Sequence, residues 1–415
     1  MFKNIQTTFK EYPGNFWVLM GATFIDRLGG ALLFPFFALY VTLKFNVGMT
    51  EVGILFAIFA ITGQFGSVLG GALTDKFGRK SMIIFGLISS ALSSVAMGLV
   101  NEIEAFYFIA AVSGLLGHIA NPAQQAMVAD LLPEDQRSDG YAIWRVVANL
   151  AVMFGPLIGG FMAESSYLLL FVTDAVTSII TAIIVFVKLP ETKPESETEP
   201  TEEKLVESLM DTFRGYGRVL KDKPFVIFLA VAIIVNLVYL QMNSSLSVFM
   251  RDHMGMPIKQ YGYILSMNAG MVVFFQFWVT RKISDKPPML MMALGAVFLT
   301  VGFGMYGFVE GFLLFALAMA ILTVGEMIVF PIAQAMVAKF SPEDMRGRYM
   351  ATFGLSWTVP FAIGPFAAGI IMDNYDPNWV WYVSIILGVI SIIGYLWLHQ
   401  SNKDQLDESL PDLSP

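Results

Sequence analysis

The chain has 415 residues, of which 56% are hydrophobic and only 14% charged, and it carries no cysteine, three histidines and a formal net charge of -8. Soluble globular chains carry about a quarter of their residues as charges, so this composition excludes an ordinary soluble enzyme and makes the bilayer the expected solvent. Without thiols there are no disulfides, thiolate nucleophiles or thiolate metal sites, and His118, His253 and His399 are too few to gather a multi-histidine metal centre.

Runs of spanning length are predicted near residues 15–41, 50–72, 81–100, 104–129, 141–163 and 167–188, separated by Gly, Pro and charge clusters. A second set follows near 224–249, 259–280, 288–308, 311–338, 349–372 and 378–398. The first run is read as a retained span rather than a cleaved leader, since no small-residue cleavage site follows it. Residues 1–188 and 224–398 are thus two six-helix halves, joined by a linker over 189–223 and followed by an acidic tail over 399–415. The linker opens Glu/Pro/Thr/Ser-rich, a composition that cannot bury a core. Its second half places Leu205, Val206, Leu209, Met210, Phe213, Tyr216 and Leu220 at helical spacing, which predicts an amphipathic surface helix. Of the 25 Lys and Arg, Arg27 and Arg145 fall within helices, 20 lie on the side of the amino terminus and three (Lys44, Arg251, Lys259) on the other. That bias predicts two cytoplasmic termini in a multi-pass protein of the cell membrane.

The sequence matches itself at an offset of 209 residues. Pro122, Gln125, Ala126, Met127, Val128, Ala129, Pro133, Glu134, Asp135 and Arg137 recur as Pro331, Gln334, Ala335, Met336, Val337, Ala338, Pro342, Glu343, Asp344 and Arg346, and Gly155-Pro156 recurs as Gly364-Pro365. A tandem duplication of six helices is the architecture of one class of secondary transporter, with a midplane cavity that opens to either side as the halves rock.

After the second span, Gly71-x-Leu73-x-Asp75-Lys76-x-Gly78-Arg79-Lys80 resembles the cytoplasmic signature loop of the major facilitator superfamily. With the twelve spans, the resemblance covers most of the chain and implies an all-α membrane protein of two six-helix halves. It also implies that Asp75 and Arg79 pair with an acid at the inner end of helix 4, here Asp130, and lock the outward-facing state. Gly71 is expected to remove a side chain where another helix approaches. In helix 5, Ala151 to Gly160 resembles the Gly-Pro motif of the superfamily's drug/proton antiporter branch: Gly155, Gly159 and Gly160 would admit a neighbouring helix while Pro156 bends its own. Ala110 and Ala111 stand where that branch commonly has an arginine, a departure that shifts attention to helix 1.

Ionisable side chains at bilayer depth are costly and mark function. Asp26 and Arg27 lie near the middle of helix 1, His118 in helix 4, Asp174 in the outer half of helix 6, where it can face the aqueous vestibule, and Glu326 near the middle of helix 10. An acid buried without a permanent partner can be loaded and unloaded by a proton gradient, a role that suits Asp26 and Glu326. His118, Asn121 and Gln125 on helix 4, and Asn236, Tyr239 and Asn243 on helix 7, follow an i, i+3, i+7 spacing that predicts two cavity-facing stripes, with Trp357 of helix 11 beside them. Met and aromatic surfaces repack around varied shapes, which suits a bulky lipophilic substrate, cationic ones included. The reading is a monomeric, proton-coupled exporter of amphiphilic small molecules that needs no cofactor and engages no nucleic acid. A symporter of a sugar, organic acid or other polar metabolite, a lipid or glycolipid flippase, and a non-transporting sensor or scaffold are the alternatives.

Overall fold

The computed structural model describes residues 11–193, 217–342 and 345–401. Twelve of its helices are long and apolar enough to cross a membrane: α1 Gly14–Phe45, α2 Met49–Phe77, α3 Arg79–Leu99, α4 Ile103–Asp130, α5 Asp139–Ser165, α6 Tyr167–Lys188, α7 Lys223–His253, α8 Ile258–Ile283, α9 Pro288–Met305, α10 Phe312–Phe340, α11 Arg346–Asn374 and α12 Trp379–Ser401. All twelve predicted spans are present, and the fold is all-α. The expected linker helix falls largely outside the described residues, as does the acidic tail.

Breaks in the helices follow the backbone chemistry. α1 passes through a 3-10 turn at Phe34–Phe36, around Pro35. α4 is interrupted at Ala120, ahead of Pro122, whose ring removes an N–H donor and restricts the residue before it. α7 tightens to 3-10 geometry at Leu240–Asn243 and widens to a π-turn at Phe249–His253.

The chain forms two compact units. The first comprises Met1–Val47, Ile54–Glu195 and Pro257–Ala269; the second comprises Gly48–Gly53, Ser196–Met256 and Gly270–Pro415. Within the first unit α1 packs on α5 and α6, and α3 on α4 and α6. Within the second, α7 packs on α11 and α12, and α9 on α10 and α12, so the packing scheme repeats six helices later as the sequence repeat does. Phe16, Leu19, Met82, Leu87, Met127 and Val185 build one buried apolar core in the first unit.

Small residues set the closest helix approaches. A Cβ on Gly155 would stand 2.5 Å from Ala31 Cβ and 2.7 Å from its carbonyl carbon, and one on Gly159 would stand 2.5 Å from Leu32 O, so α1 and α5 meet backbone to backbone. Gly160 approaches Lys259 and Gly262 of α8. Gly71, by contrast, faces open space; the contact expected of it is made by Gly66 and Gly70, which lie against Leu115 and Ile119 of α4. One residue on a helix is about 100° of rotation, enough to turn Gly71 off that face.

Candidate functional site

The first unit gathers charge inside the bundle. Asp26 on α1 faces α6, where the Ser178 hydroxyl donates to its Oδ1 at 3.3 Å. Asp174, one turn before Ser178, is only 7% exposed and takes a short hydrogen bond from Ser94 of α3. The vestibule position expected for Asp174 is therefore replaced by a buried one, because α1 and α3 both pack on α6 at this level. A side chain on Gly29 would run into Thr177 and Asp174, so this glycine leaves the space in which the α6 polar groups sit. The two carboxyls lie within electrostatic reach of each other. Asp174 and Ser178 are spaced i, i+4 in an apolar run, a signal available in the sequence; Ser94 had only the presence of a serine in a span to mark it.

Arg27 acts electrostatically on Asp26, whereas His118, Asn121 and Gln125 are not brought to the pair. Arg27 is exposed, its guanidinium carbon 5.9 Å from the Trp144 ring centroid on α5. His118 bonds through Nδ1 to Gly114 O of its own helix at 2.9 Å, beside Gly63 of α2, and is not brought to the acidic pair. Asn121 is half-buried and Gln125 exposed, and the break at Ala120 separates both from the helical register of His118.

Among the candidate residues of the second unit, Asn236, Tyr239, Asn243, Glu326 and Trp357, Glu326 is the one acid. The Tyr239 hydroxyl is hydrogen-bonded to Glu326, and the Tyr239 ring meets Phe330 at 4.7 Å and Trp357 at 5.9 Å between centroids. Phe330 and Trp357 meet each other at 5.2 Å, which closes an aromatic cluster across α7, α10 and α11. Asn236 donates from Nδ2 to Ser356 O at 2.7 Å. Asn243, half-buried, ends a 3-10 turn at Leu240–Asn243 that interrupts the α-helical spacing from Asn236 and Tyr239. Phe330, four residues after Glu326, was not singled out in the sequence although it shares that helix face. Gly364 and Pro365 sit in α11, Gly364 facing the Gln241 amide.

The signature loop between α2 and α3 is a network of its own. Arg79 Nε reaches Asp130 Oδ2 at 3.1 Å, and Arg79 Nη1 stands 3.7 Å from Asp75 Oδ1, on a carboxylate that is largely exposed. Gly78 takes φ +92°, a conformation that favours glycine, and α3 begins immediately after it. The first N–H groups of a helix have no intrahelical partner; here Glu191, read in the sequence only as linker, supplies one. Its carboxylate accepts from Arg79 N at 2.8 Å and Lys80 N at 3.2 Å, and also from Thr192 N and Lys193 N. Burial pushes Glu191 toward the neutral form, yet these backbone donors outweigh it and hold the carboxyl below its ordinary range. Thr192 donates to Asp130, and the Lys193 ammonium donates to Lys76 O. The linker's first residues are thus docked on the loop.

With the twelve helices, the repeated packing and the loop in place, comparison with known proteins is decisive. A model of the Major Facilitator Superfamily matches residues 19–334 and 292–411. The chain belongs to the Major Facilitator Superfamily. This superfamily member is 26% identical over 412 residues to a Na(+), Li(+), K(+)/H(+) antiporter of Planococcus maritimus, covering 94% of this chain and 96% of that one. It is 24% identical over 376 residues to the multidrug resistance protein MdtH of Escherichia coli (strain SE11), covering 89% and 90%. In fold it is similar to a mutant of the nucleoside transporter NupG, with a TM-score of 0.80 at 13% identity over 93% of this chain and 100% of that one. The peptide transporter POT in complex with sulfate gives 0.77 at 15% identity, over 96% of each chain. The superfamily member is a multi-pass membrane transporter, and its family and relatives are transporters rather than enzymes.

Proposed function

We propose that this transporter is a proton-coupled antiporter that exports lipophilic or amphiphilic compounds across the cell membrane by alternating access, its termini cytoplasmic. The observation that carries the reading is the pair Asp26 and Asp174 inside the first unit, Asp174 buried and Asp26 half-buried, hydrogen-bonded to Ser94 and Ser178 respectively. Interacting carboxyls take up and release protons as a pair, and ionisable groups at this depth are maintained for function. The aromatic cluster of Tyr239, Phe330 and Trp357 with Glu326 is the matching surface for the exported compound. Arg79, Asp130 and Asp75 act as the cytoplasmic lock. Relatives named as an antiporter and as a multidrug resistance protein support this reading.

One second reading has its own support. The hydrogen-bond partners of Asp26 and Asp174, Ser178 and Ser94, add hydroxyl oxygens to the carboxyl oxygens, the ligand type of hard cations, and one relative is named for exchanging alkali cations against protons. Proteoliposomes carrying a pH-sensitive dye decide between the two. Proton release on adding a lipophilic cation, lost in Asp26→Asn, is the expected result; release only on adding Na+ or K+ moves the substrate to the second reading, and no release with either overturns both.

A further inference from the structure

The second unit contains a small cavity between α7, α10, α11 and α12, lined by Asn236, Phe330, Gln334, Phe353, Trp357 and Tyr395 among others. Its free space takes about one water-sized group. Two polar atoms of its lining are left over. Asn236, 3% exposed, has spent its amide on Ser356 O, but its Oδ1 has no hydrogen-bond partner among the described residues. Tyr395 is fully buried, and its hydroxyl is likewise unpartnered. Buried polar groups are almost always satisfied, and an unsatisfied one costs about 1–3 kcal/mol, so an unspent acceptor and an unspent hydroxyl on two residues that line one cavity mark a place for a hydrogen-bonding guest that a small side-chain shift would admit. No charged residue lines the space. The Phe330 and Trp357 rings at its rim, which also belong to the aromatic cluster with Tyr239, offer flat apolar surface for whatever carries that guest.

We propose that this cavity is a recognition subsite for the compact, hydrogen-bond-donating tip of an aromatic amphiphile, an amino or hydroxyl group. Asn236 Oδ1 accepts from the tip, Tyr395 completes its hydrogen bonding, and the ring lies against Phe330 and Trp357. Hydrogen bonding makes it selective: a primary ammonium has N–H donors to give, whereas a quaternary ammonium is bulkier and has none. This rests on the reading of the chain as an exporter of amphiphiles and narrows which of them it takes.

The test is calorimetric titration of the full chain in lipid nanodiscs with two probes of equal charge, 2-naphthylmethylamine and its N-trimethyl counterpart. The amine is expected to bind about ten-fold more tightly, the equivalent of one satisfied buried group. Asn236→Leu and Tyr395→Phe should each narrow that ratio while leaving affinity for the trimethyl probe within about two-fold, the scale of a removed contact it never made. Tyr395→Phe deletes one oxygen and keeps the ring, so it decides the matter even where Asn236→Leu fails to fold. Equal affinities in the natural protein, no binding of either probe, or a ratio that survives both substitutions would overturn the proposal. Binding is read without any proton gradient. Selective binding with no coupled transport would therefore sink the export reading and spare the subsite, and coupled transport with equal affinities would do the reverse.

Discussion

The two units descend from one six-helix sequence, and the comparison between them is sharpest where they differ. α1 and α7 begin 209 residues apart, the offset of the internal repeat. At that offset Asp26 answers to Val235, Arg27 to Asn236, Asp174 to Val383 and Asp130 to Lys339. The helix packing was retained and the charges were not: the first unit pairs a buried Asp174 with a half-buried Asp26, whereas the second has the single carboxyl of Glu326 beside Tyr239 and a cavity lined by an amide, a phenol and aromatic rings. The same helix packing carries carboxyls in one frame and mainly neutral polar and aromatic groups in the other, and the proposed division between ion coupling and substrate contact rests on that difference.

The largest test of that division is functional. Asp26→Asn and Asp174→Asn, which keep size and remove charge, should reduce gradient-driven transport in proteoliposomes to background while leaving the binding of 2-naphthylmethylamine in the calorimeter unchanged. Tyr395→Phe should do the opposite, weakening binding while proton-driven flux of the trimethyl probe persists. If an Asp26 or Asp174 variant still drives transport, the division of labour between the units is wrong.

A second test concerns packing, where the units share a motif but not its tightness. Gly155→Ala pushes a methyl group to 2.5 Å from Ala31 Cβ and 2.7 Å from its backbone carbonyl carbon. Such overpacking costs about 1–3 kcal/mol, more than offsetting the roughly 1 kcal/mol of helix propensity that alanine gains over glycine. At the repeat position, Gly364→Ala meets the Gln241 amide at 3.2 Å and Leu237 at 3.6 Å, so a shift of a few tenths of an ångström accommodates it although Leu237 O and Ser245 hold that amide. The first variant should lower the thermal midpoint of the detergent-solubilised protein and the second should leave it level or raise it slightly; equal shifts would show that the Gly-Pro motif packs alike in both units.

The contrast also explains what the sequence could and could not tell. Spanning helices were legible because roughly 20 apolar residues have few other uses, and the duplication was legible because ten residues of one turn region recur at one offset. Charged candidates were legible one at a time, since each stands out in an apolar run. Their grouping was not. That Asp26 shares a site with Asp174 while His118 stands apart depends on which helices touch, and 209 residues of offset carry no information on that. Gly71 and Gly70 are indistinguishable in the sequence, yet only Gly70 lies against α4. The 3-10 turn that breaks the spacing before Asn243 is announced by no residue type. Tyr395 and Phe330 were missed because an aromatic residue in a membrane span is unremarkable until a cavity lies beside it.

The smallest effect lies at the start of the third helix of each unit, where one problem has two solutions. In the second unit α9 opens on Pro287 and Pro288, which have no N–H to satisfy. In the first, the repeat position of Pro287 is Gly78, α3 keeps its donors, and Glu191 accepts from two of them. Glu191→Gln keeps an acceptor oxygen and removes the charge, so it should cost about 0.3–1 kcal/mol, the worth of a negative charge at a helix N-terminus, and there is no equivalent loss to produce in α9. The pH dependence has a fixed sign. Because the folded protein holds Glu191 below the ordinary carboxylate range, its contribution is complete above the unfolded-state value near 4.3 and fades as the pH falls through the lower folded value. Thermal midpoints of the natural protein and of Glu191→Gln should differ at neutral pH and converge in acid below that range; a gap that stays constant down to the acid end would mean that the carboxylate's charge contributes nothing to capping α3.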